Sequence, residues 1–301
     1  MEHSERIAAV IVTFNNPGML NDLLEDLQRQ SLKPGRIIVV DNSTRSAAES
    51  VPGETQGVTY VKMAANEGSA GGFHEGLRLA RTGADYILTL DDDVRMPADA
   101  LEKLFRGLGD LAGNDGRVGA VRAVGPNHPD AVPTRIPCFA WRGTLMKAEA
   151  VLSAGLPRKD YFLYADDTEY ALRMVAAGWR FFWIPGSQIV ERRKEDKQRL
   201  RILGREVFVY ADAYRFYYAV RNSIHAFRMH RCRSELRKTL VYAAKMAFLL
   251  AFVRTGENGG RAKAILRGVS DGFRSKLGKR SDYHHAETAP GAEWRQAEAC
   301  R

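Results

Sequence analysis

Three consecutive aspartates, Asp91-Asp92-Asp93, close the apolar run Tyr86-Ile87-Leu88-Thr89-Leu90. Side chains alternate along an extended chain, so Asp91 and Asp93 point the same way. Two hard oxygen ligands on one edge suit Mg2+ or Mn2+, and such an ion also holds a diphosphate. Without a cation, three crowded carboxylates repel one another. The competing reading is a solvated acidic turn capping the helix that Pro97 opens. A second acidic group, Asp166-Asp167-Thr168-Glu169, follows the aromatic run Tyr161-Phe162-Leu163-Tyr164 and opens a helix. Its local pattern is ordinary N-terminal capping. Its chemical use is to take a proton from an acceptor hydroxyl, typically worth about 10²–10⁴-fold.

Asp41 closes an apolar run over 36–40, and Thr13-Phe14-Asn15 close another over 6–14. A carboxylate there accepts a hydrogen bond from a pyrimidine N–H, with backbone groups around Thr13 pairing to the same base. Equally, Asp41 caps a turn through Asn42 and Ser43. Asn66-Glu67-Gly68-Ser69-Ala70-Gly71-Gly72 has the glycines of a phosphate cradle and stands before a helix N-terminus. It lacks the Lys-Ser/Thr of a P-loop and the spacing of a dinucleotide fingerprint, and a plain tight turn fits it too.

The elements that must position these residues alternate. Strands are expected at 6–14, 36–40, 58–62 and 85–90. Asn16-Pro17 supplies an N-cap and a first-turn proline, and Met19, Leu20, Leu23, Leu24 and Leu27 recur at helical spacing. Further helices are expected at 73–81 and 97–108. Strands near 118–124 and 139–146, a helix at 167–177 and a strand at 179–184 continue the pattern. Such alternation predicts an α/β fold with a mixed, mostly parallel sheet flanked by helices. Ligands of such sheets gather at the carboxyl ends of the strands, where Asn15, Asp41 and the three aspartates all fall. After Pro185 the character changes: 198–253 reads as helical and aromatic-rich, and 262–277 repeats apolar and basic residues at helical spacing. Residues 281–301 read as a flexible tail.

The chain has 301 residues, 45% of them hydrophobic and 27% charged, which describes a globular protein able to bury a sizeable core. Cys138, Cys232 and Cys300 are too scattered for metal-binding spacing or a disulfide framework, pointing to a reducing, cytosolic setting. No signal-peptide pattern precedes the first strand. The apolar run 240–253 is interrupted by Lys245 and falls short of the roughly 20 residues that span a bilayer. The net charge of +9 is unevenly placed: 191–301 carry 25 Lys/Arg against 12 Asp/Glu, whereas 1–190 carry 20 against 24. That bias implies an anionic partner for 191–280, a membrane surface or a nucleic acid, unless it is simply a solvated basic face. Phe208, Tyr210, Tyr214 and Phe216 recur at helical spacing, which places them in a core and argues against nucleic acid. The expected location is cytoplasmic, peripheral on the inner face of the cell membrane.

Taken in order, four motifs resemble glycosyltransferase family 2, the inverting enzymes with the GT-A fold. They are Val12-Thr13-Phe14-Asn15-Asn16, Val39-Val40-Asp41-Asn42-Ser43, Leu90-Asp91-Asp92-Asp93 and Asp166-Asp167-Thr168-Glu169-Tyr170-Ala171-Leu172-Arg173, with Gly178-Trp179 beyond. The segment from Asn66 to Phe73, and Tyr217-Tyr218-Ala219-Val220-Arg221-Asn222, are similar to segments of bacterial galactofuranosyltransferases and related rhamnosyltransferases. The likeness covers about residues 5–225. It implies a GT-A catalytic domain over 5–195, a basic, aromatic-rich helical region over 196–280 packing on it, and a tail over 281–301.

Carried over residue by residue, the resemblance implies that Asp91 and Asp93 ligate Mg2+ or Mn2+. Thr13 and Asp41 would hold the donor's base, Asp92 would contact its ribose or sugar, and Asn15, Asn66, Gly71, Gly72 and Asp91 would also bind the donor. Asp167, with Asp166 beside it, would be the general base, Arg173 would steady it, and Trp141 would pack under the acceptor sugar. The implied donor is a UDP- or dTDP-linked hexose, galactofuranose or rhamnose favoured, and the implied acceptor a glycan or polyprenyl-linked one in cell-envelope polysaccharide synthesis. No separate nucleophile is implied, so the reaction would be one in-line displacement with inversion. Where the family commonly has a histidine as third metal ligand, this chain reads Pro185-Gly186-Ser187-Gln188-Ile189-Val190-Glu191-Arg192-Arg193. Either Glu191 replaces it or fewer protein ligands hold the ion. The alternatives are a degenerate relative that binds nucleic acid or membrane without transferring sugar, and a nucleotidyltransferase.

Overall fold

The computed structural model describes residues 6–43, 57–129, 131–192, 197–202, 205–210, 212–252 and 258–283. Cys300 and most of the expected tail lie outside the described residues. The element order is β1 (Ile7–Thr13), α1 (Pro17–Gln28), β2 (Arg36–Asp41), β3 (Val58–Lys62), α2 (Gly68–Ala80), β4 (Tyr86–Asp91), β5 (Val94–Arg95), α3 (Ala100–Asn114), β6 (Val118–Val124), β7 (Thr134–Ile136), β8 (Thr144–Lys147) and α4 (Ala148–Ala154). It continues with α5 (Asp166–Ala176), β9 (Arg180–Gln188), β10 (Val190–Glu191), β11 (Lys197–Ile202), β12 (Arg205–Tyr210), α6 (Ala213–Met229), α7 (Arg233–Phe252) and α8 (Asn258–Phe273).

Eight strands form one sheet in the order β3-β2-β1-β4-β8-β6-β9-β7. The β3-β2-β1-β4 half is parallel, β8 runs antiparallel between β4 and β6, and β7 is an antiparallel edge. All seven residues of β1 are buried, as its unbroken apolar run requires of a central strand covered on both faces. One face packs Leu20, Leu23 and Leu27 of α1 and Leu101, Leu104 and Leu108 of α3. The other packs Phe73 and Leu77 of α2, Val151 of α4 and Tyr170 and Met174 of α5. Beyond the sheet, α6, α7 and α8 bury Phe216, Val220, Ile224, Met246, Leu250 and Ile265 among themselves. This is a mixed, mostly parallel α/β architecture with a helical C-terminal extension.

Four expectations differ from the structure. Helix α2 begins at Gly68, inside the glycine-rich stretch expected to be a turn. Lys197–Ile202 and Arg205–Tyr210 are not helical but pair antiparallel as β11 and β12. The alternation Arg199-Leu200-Arg201-Ile202 has the period of a strand, so Phe208 and Tyr210 lie on β12 and not on the helix carrying Tyr214 and Phe216, although the Tyr210 ring meets Phe216 edge-on at 5.2 Å. The strand expected at 139–146 is shortened to Thr144–Lys147. Finally, β9 runs through Pro185 to Gln188, which the sheet accommodates by a register shift where Ile184 pairs with Ala123 and Gln188 with Val124. A bulge tolerates the N–H that proline lacks.

Candidate functional site

The parallel register sets Thr13 beside Asp41 and Val12 beside Asp91, so the ends of β1, β2 and β4 share one rim. Strand β4 ends at Asp91 and Asp92-Asp93 form a turn, in which Asp92 is buried while Asp91 and Asp93 keep partial access to solvent. Asp92 turns inward and accepts hydrogen bonds from the Thr13 hydroxyl at 2.7 Å and the Phe14 N–H at 3.2 Å. The run is braced from behind. Asp26 of α1 accepts a bidentate pair from Arg95 at 2.6 Å and the Met96 N–H at 2.9 Å, and the Arg192 N–H donates to the Asp93 carbonyl at 2.8 Å.

Burial, then the charges of Asp93, Asp92 and Asp166, push the Asp91 carboxyl well above the usual aspartate range, with Arg142 opposing. A divalent cation would offset that crowding. Mg2+ is commonly held by one or two carboxylates together with substrate phosphates, so Asp91 and Asp93 fit this role. Glu191 does not join them here. It stands opposite Val94 in the β5–β10 pair, where Arg142 forms an ion pair with it at 2.6 Å. Among the described residues, no group of three His, Cys, Asp or Glu side chains is arranged to hold a metal by itself.

The second acidic group arrives on a strained turn. Phe162 has φ 63° and ψ −64°, and the Leu163 N–H donates to the Tyr161 carbonyl at 2.8 Å, which is the rare γ-turn. Tyr164 and Ala165 also have positive φ, and Ala165 is the N-cap of α5. Strain of this kind persists where surrounding contacts over-determine it, and it clusters at functional sites. One such contact is the start of α2: the Ala70 N–H donates to the Phe162 carbonyl at 3.2 Å. Gly68, at φ +68°, lies so near that any Cβ there would collide with the same carbonyl. From this turn Asp166 points inward, accepting from the Trp141 indole N–H at 2.8 Å and the Ser69 hydroxyl at 3.2 Å. Asp167 keeps partial access, and its Oδ1 accepts the Thr168 N–H at 2.6 Å. Burial raises both carboxyls; the charge of Asp167 adds to the push on Asp166, which reaches about 7.

Several expected site residues are used by the protein itself. Arg173 does not steady Asp167. It pairs with Glu169 at 2.7 Å and donates to the Ala154 and Leu156 carbonyls, because positions four apart share a helix face and positions six apart do not. Trp141 is 3% exposed and stacks on Phe73 with ring centroids 4.6 Å apart, so it orients Asp166 from the core and offers no face to an acceptor sugar. Asp41 is fully buried. Burial pushes its carboxyl up, but hydrogen bonds from Ser43, Tyr60 and Lys62 outweigh that and hold it below the usual range. Its oxygens are taken by these groups, and Thr13 is taken by Asp92. Gly71 and Gly72 are buried in α2, and a Cβ on Gly72 would meet Val12 and Asn42; the close approach is made by the protein's own strand. Asn66 accepts the Gly68 N–H at 2.8 Å, and Asn15 stays exposed at φ 50° beyond β1.

Two cations escaped the sequence reading. Arg122 and Arg142 both oppose the upward push on Asp167, and Arg122, held largely away from water, also senses Glu191. A trace of this was legible: Arg122 interrupts the otherwise apolar strand Val118-Gly119-Ala120-Val121-Arg122-Ala123-Val124.

This arrangement of sheet, rim and acidic corners is the GT-A fold, and residues 8–143 match the family model for glycosyl transferase family 2. That match covers a little under half of the chain. Among characterised proteins it is similar to the galactofuranosyltransferase GlfT1 of Mycolicibacterium smegmatis, 41% identical over 101 residues, 33% of each chain. The matched stretch thus spans about a third of that relative's length. It is also 25% identical over 241 residues to the dTDP-rhamnosyl transferase RfbF of Shigella flexneri, covering 73% of this chain and 79% of the relative. Among solved structures, a mannosyltransferase from Pyrobaculum calidifontis in complex with GDP-Man and Mn2+ superposes with a TM-score of 0.58 at 18% identity, covering 90% of this chain and 88% of that one.

Proposed function

We propose that the protein is an inverting, metal-dependent glycosyltransferase. It would move a hexosyl group, galactofuranosyl or rhamnosyl, from a nucleotide-diphospho-sugar to a lipid-linked or polysaccharide acceptor of the cell envelope. The observation that carries this reading is the meeting of two acidic groups from distant parts of the chain. Asp166 at the start of α5 is near enough to Asp91 at the end of β4 to raise its carboxyl. A donor diphosphate and an acceptor hydroxyl both need such a corner. The names of the galactofuranosyl and rhamnosyl relatives support those two sugars, and the Mn2+ complex of the mannosyltransferase supports the metal.

Asp91 and Asp93 would hold Mg2+ or Mn2+ on the diphosphate side. When bound, the ion neutralises charge that builds on the departing diphosphate. Asp167, the more accessible of the α5 pair, takes the proton of the acceptor hydroxyl. The freed oxygen forms a bond to the anomeric carbon as the carbon–diphosphate bond breaks and the nucleoside diphosphate leaves. Asp166, held by Trp141 and Ser69, keeps the pair facing the rim. A single displacement of this kind inverts the anomeric centre.

The test is transfer by the purified protein from UDP-galactofuranose, dTDP-rhamnose or GDP-mannose to a polyprenyl-linked acceptor, with Mn2+ or with chelator. Metal-dependent release of a nucleoside diphosphate and a glycoside of inverted configuration are expected from one donor. No transfer from any of them defeats the reading, and pyrophosphate released from a nucleoside triphosphate points to a nucleotidyltransferase. The pH dependence has a definite sign. The base works deprotonated and its pair titrates as a unit raised by burial. Turnover should therefore climb with pH along a limb centred well above the ordinary aspartate value of about 4. A limb at the ordinary value would remove the buried pair from the mechanism.

The reading extends to an anionic membrane surface as the meeting place with a lipid-linked acceptor. Arg237, Val241, Lys245 and Phe248 follow one exposed stripe of α7, with Val241 and Phe248 each 62% exposed. Apolar side chains flanked by cations suit the headgroup region of an anionic bilayer. No helix among the described residues is long and apolar enough to cross one. The protein should float with vesicles containing phosphatidylglycerol and sediment with neutral ones, and V241E/F248E should abolish flotation. Equal behaviour with both vesicle types would exclude this surface.

A further inference from the structure

The tyrosine–arginine-asparagine segment on α6 has no place among the groups that would touch donor, metal or acceptor, yet it reaches the strained turn that delivers Asp166 and Asp167. The Asn222 side-chain amide donates to the carbonyls of Tyr161, Leu163 and Tyr164 at 2.9, 2.8 and 2.9 Å. These carbonyls flank the residues of positive φ, so one side chain closes the whole turn. Asn222 is itself fixed by Arg221, whose Nε–H donates to its Oδ1 at 2.8 Å and thereby sets which end of the amide faces the turn. The other arms of the guanidinium donate to the Tyr161 carbonyl at 3.0 Å and to Gly278 beyond α8 at 2.7 Å. Its faces are met by the Tyr217 and Tyr218 rings at 5.2 and 4.8 Å, and both Arg221 and Asn222 are fully buried.

We propose that Asn222 is a positioning residue: oriented by Arg221, it clamps residues 161–164 in their strained form and so sets where Asp166 and Asp167 stand. The claim about chemistry rests on the transferase reading above, whereas the claim about the turn does not. A buried polar network whose every arm is satisfied rigidifies what it holds, and a strained turn released from it relaxes toward ordinary backbone. The helical extension then has a definite task, because the turn is pinned between α2, which belongs to the sheet domain, and α6, which does not. Displacing the base moves it relative to a donor bound at the other end of the site.

The test uses the full chain with Asn222→Asp, which keeps the size and the Oδ1 bond from Arg221 but replaces the donating amide nitrogen by a second oxygen facing three carbonyls. Asn222→Ala is the second variant. Two readouts are taken. Amide exchange is followed at Phe162, Leu163 and Glu169, whose N–H groups donate within or beside the turn, and at Ile11 in the central strand as reference. Turnover and donor KM are measured in parallel. Exchange at the turn should quicken by about tenfold or more with Ile11 unchanged. Turnover should fall by about 10–100-fold, as misplacement of a catalytic group does, with donor KM held within about twofold. Unchanged exchange at the turn overturns the inference, as does acceleration throughout the chain or a loss of turnover in step with donor affinity. If the wild-type protein transfers no sugar, the transferase reading falls, while exchange at the turn still decides whether Asn222 holds it.

Discussion

Asp167→Asn is expected to lower turnover by about 10²–10⁴-fold, the usual worth of a positioned general base, while leaving the affinity for donor nearly unchanged. The asymmetry follows from where Asp167 acts. It meets the acceptor's proton as the new bond forms, so its loss is felt in the transition state rather than in donor binding. The substitution is conservative for the fold, because asparagine retains an Oδ1 to accept the Thr168 N–H. Burial already disfavours the charge at this position, so the neutral amide should not destabilise the protein. Steady-state kinetics with saturating acceptor provide the measurement. A variant retaining more than about a tenth of wild-type turnover would leave Asp167 without the role of base.

The second large effect has two opposite signs. Asp91→Asn should abolish stabilisation by a nucleotide sugar with Mn2+ and, at neutral pH, raise the melting temperature of the protein alone. Burial and the charges of Asp93, Asp92 and Asp166 hold the Asp91 carboxyl well above its unfolded value, so ionising it costs the native state. The sign is set by linkage: a raised acid favours the fold at low pH, and that contribution is lost as pH rises from the unfolded value of about 3.9 through the folded one. The variant's advantage should therefore be absent near pH 3 and grow toward neutrality. Ligand stabilisation scales with the logarithm of ligand over its dissociation constant, so the wild type should gain several degrees with Mn2+ and donor where the variant gains none. A variant stabilised by donor and Mn2+ as strongly as the wild type would take Asp91 out of the metal site.

Much of the sheet was legible because its strands are uninterrupted apolar runs of the right length. The run from Ile7 to Thr13 is buried at every position, and the shared rim of Thr13 with the acidic ends of β2 and β4 follows from a parallel arrangement. The start of α2 was less legible, since Gly68-Ser69-Ala70-Gly71-Gly72 reads as a turn by propensity. It is helical because small residues let α2 settle against Val12 and the Phe162 carbonyl, contacts that no local window contains. The β11–β12 pair is a different case: its two-residue alternation is present in the sequence but sits inside a longer aromatic-rich stretch whose spacing favours helix.

The sequence by itself determined the alternation of strand and helix, the two clusters of acid and their place at element ends, because periodicity and local chemistry are short-range properties. The tertiary structure alone decided which partner each charge meets. Glu191 went to Arg142, Thr13 to Asp92 and Asn222 to the turn before α5. Side chains reach only a few ångströms, and pairs 50 to 80 positions apart in the chain, such as Thr13 with Asp92, come within that reach only once sheet register and helix packing are set.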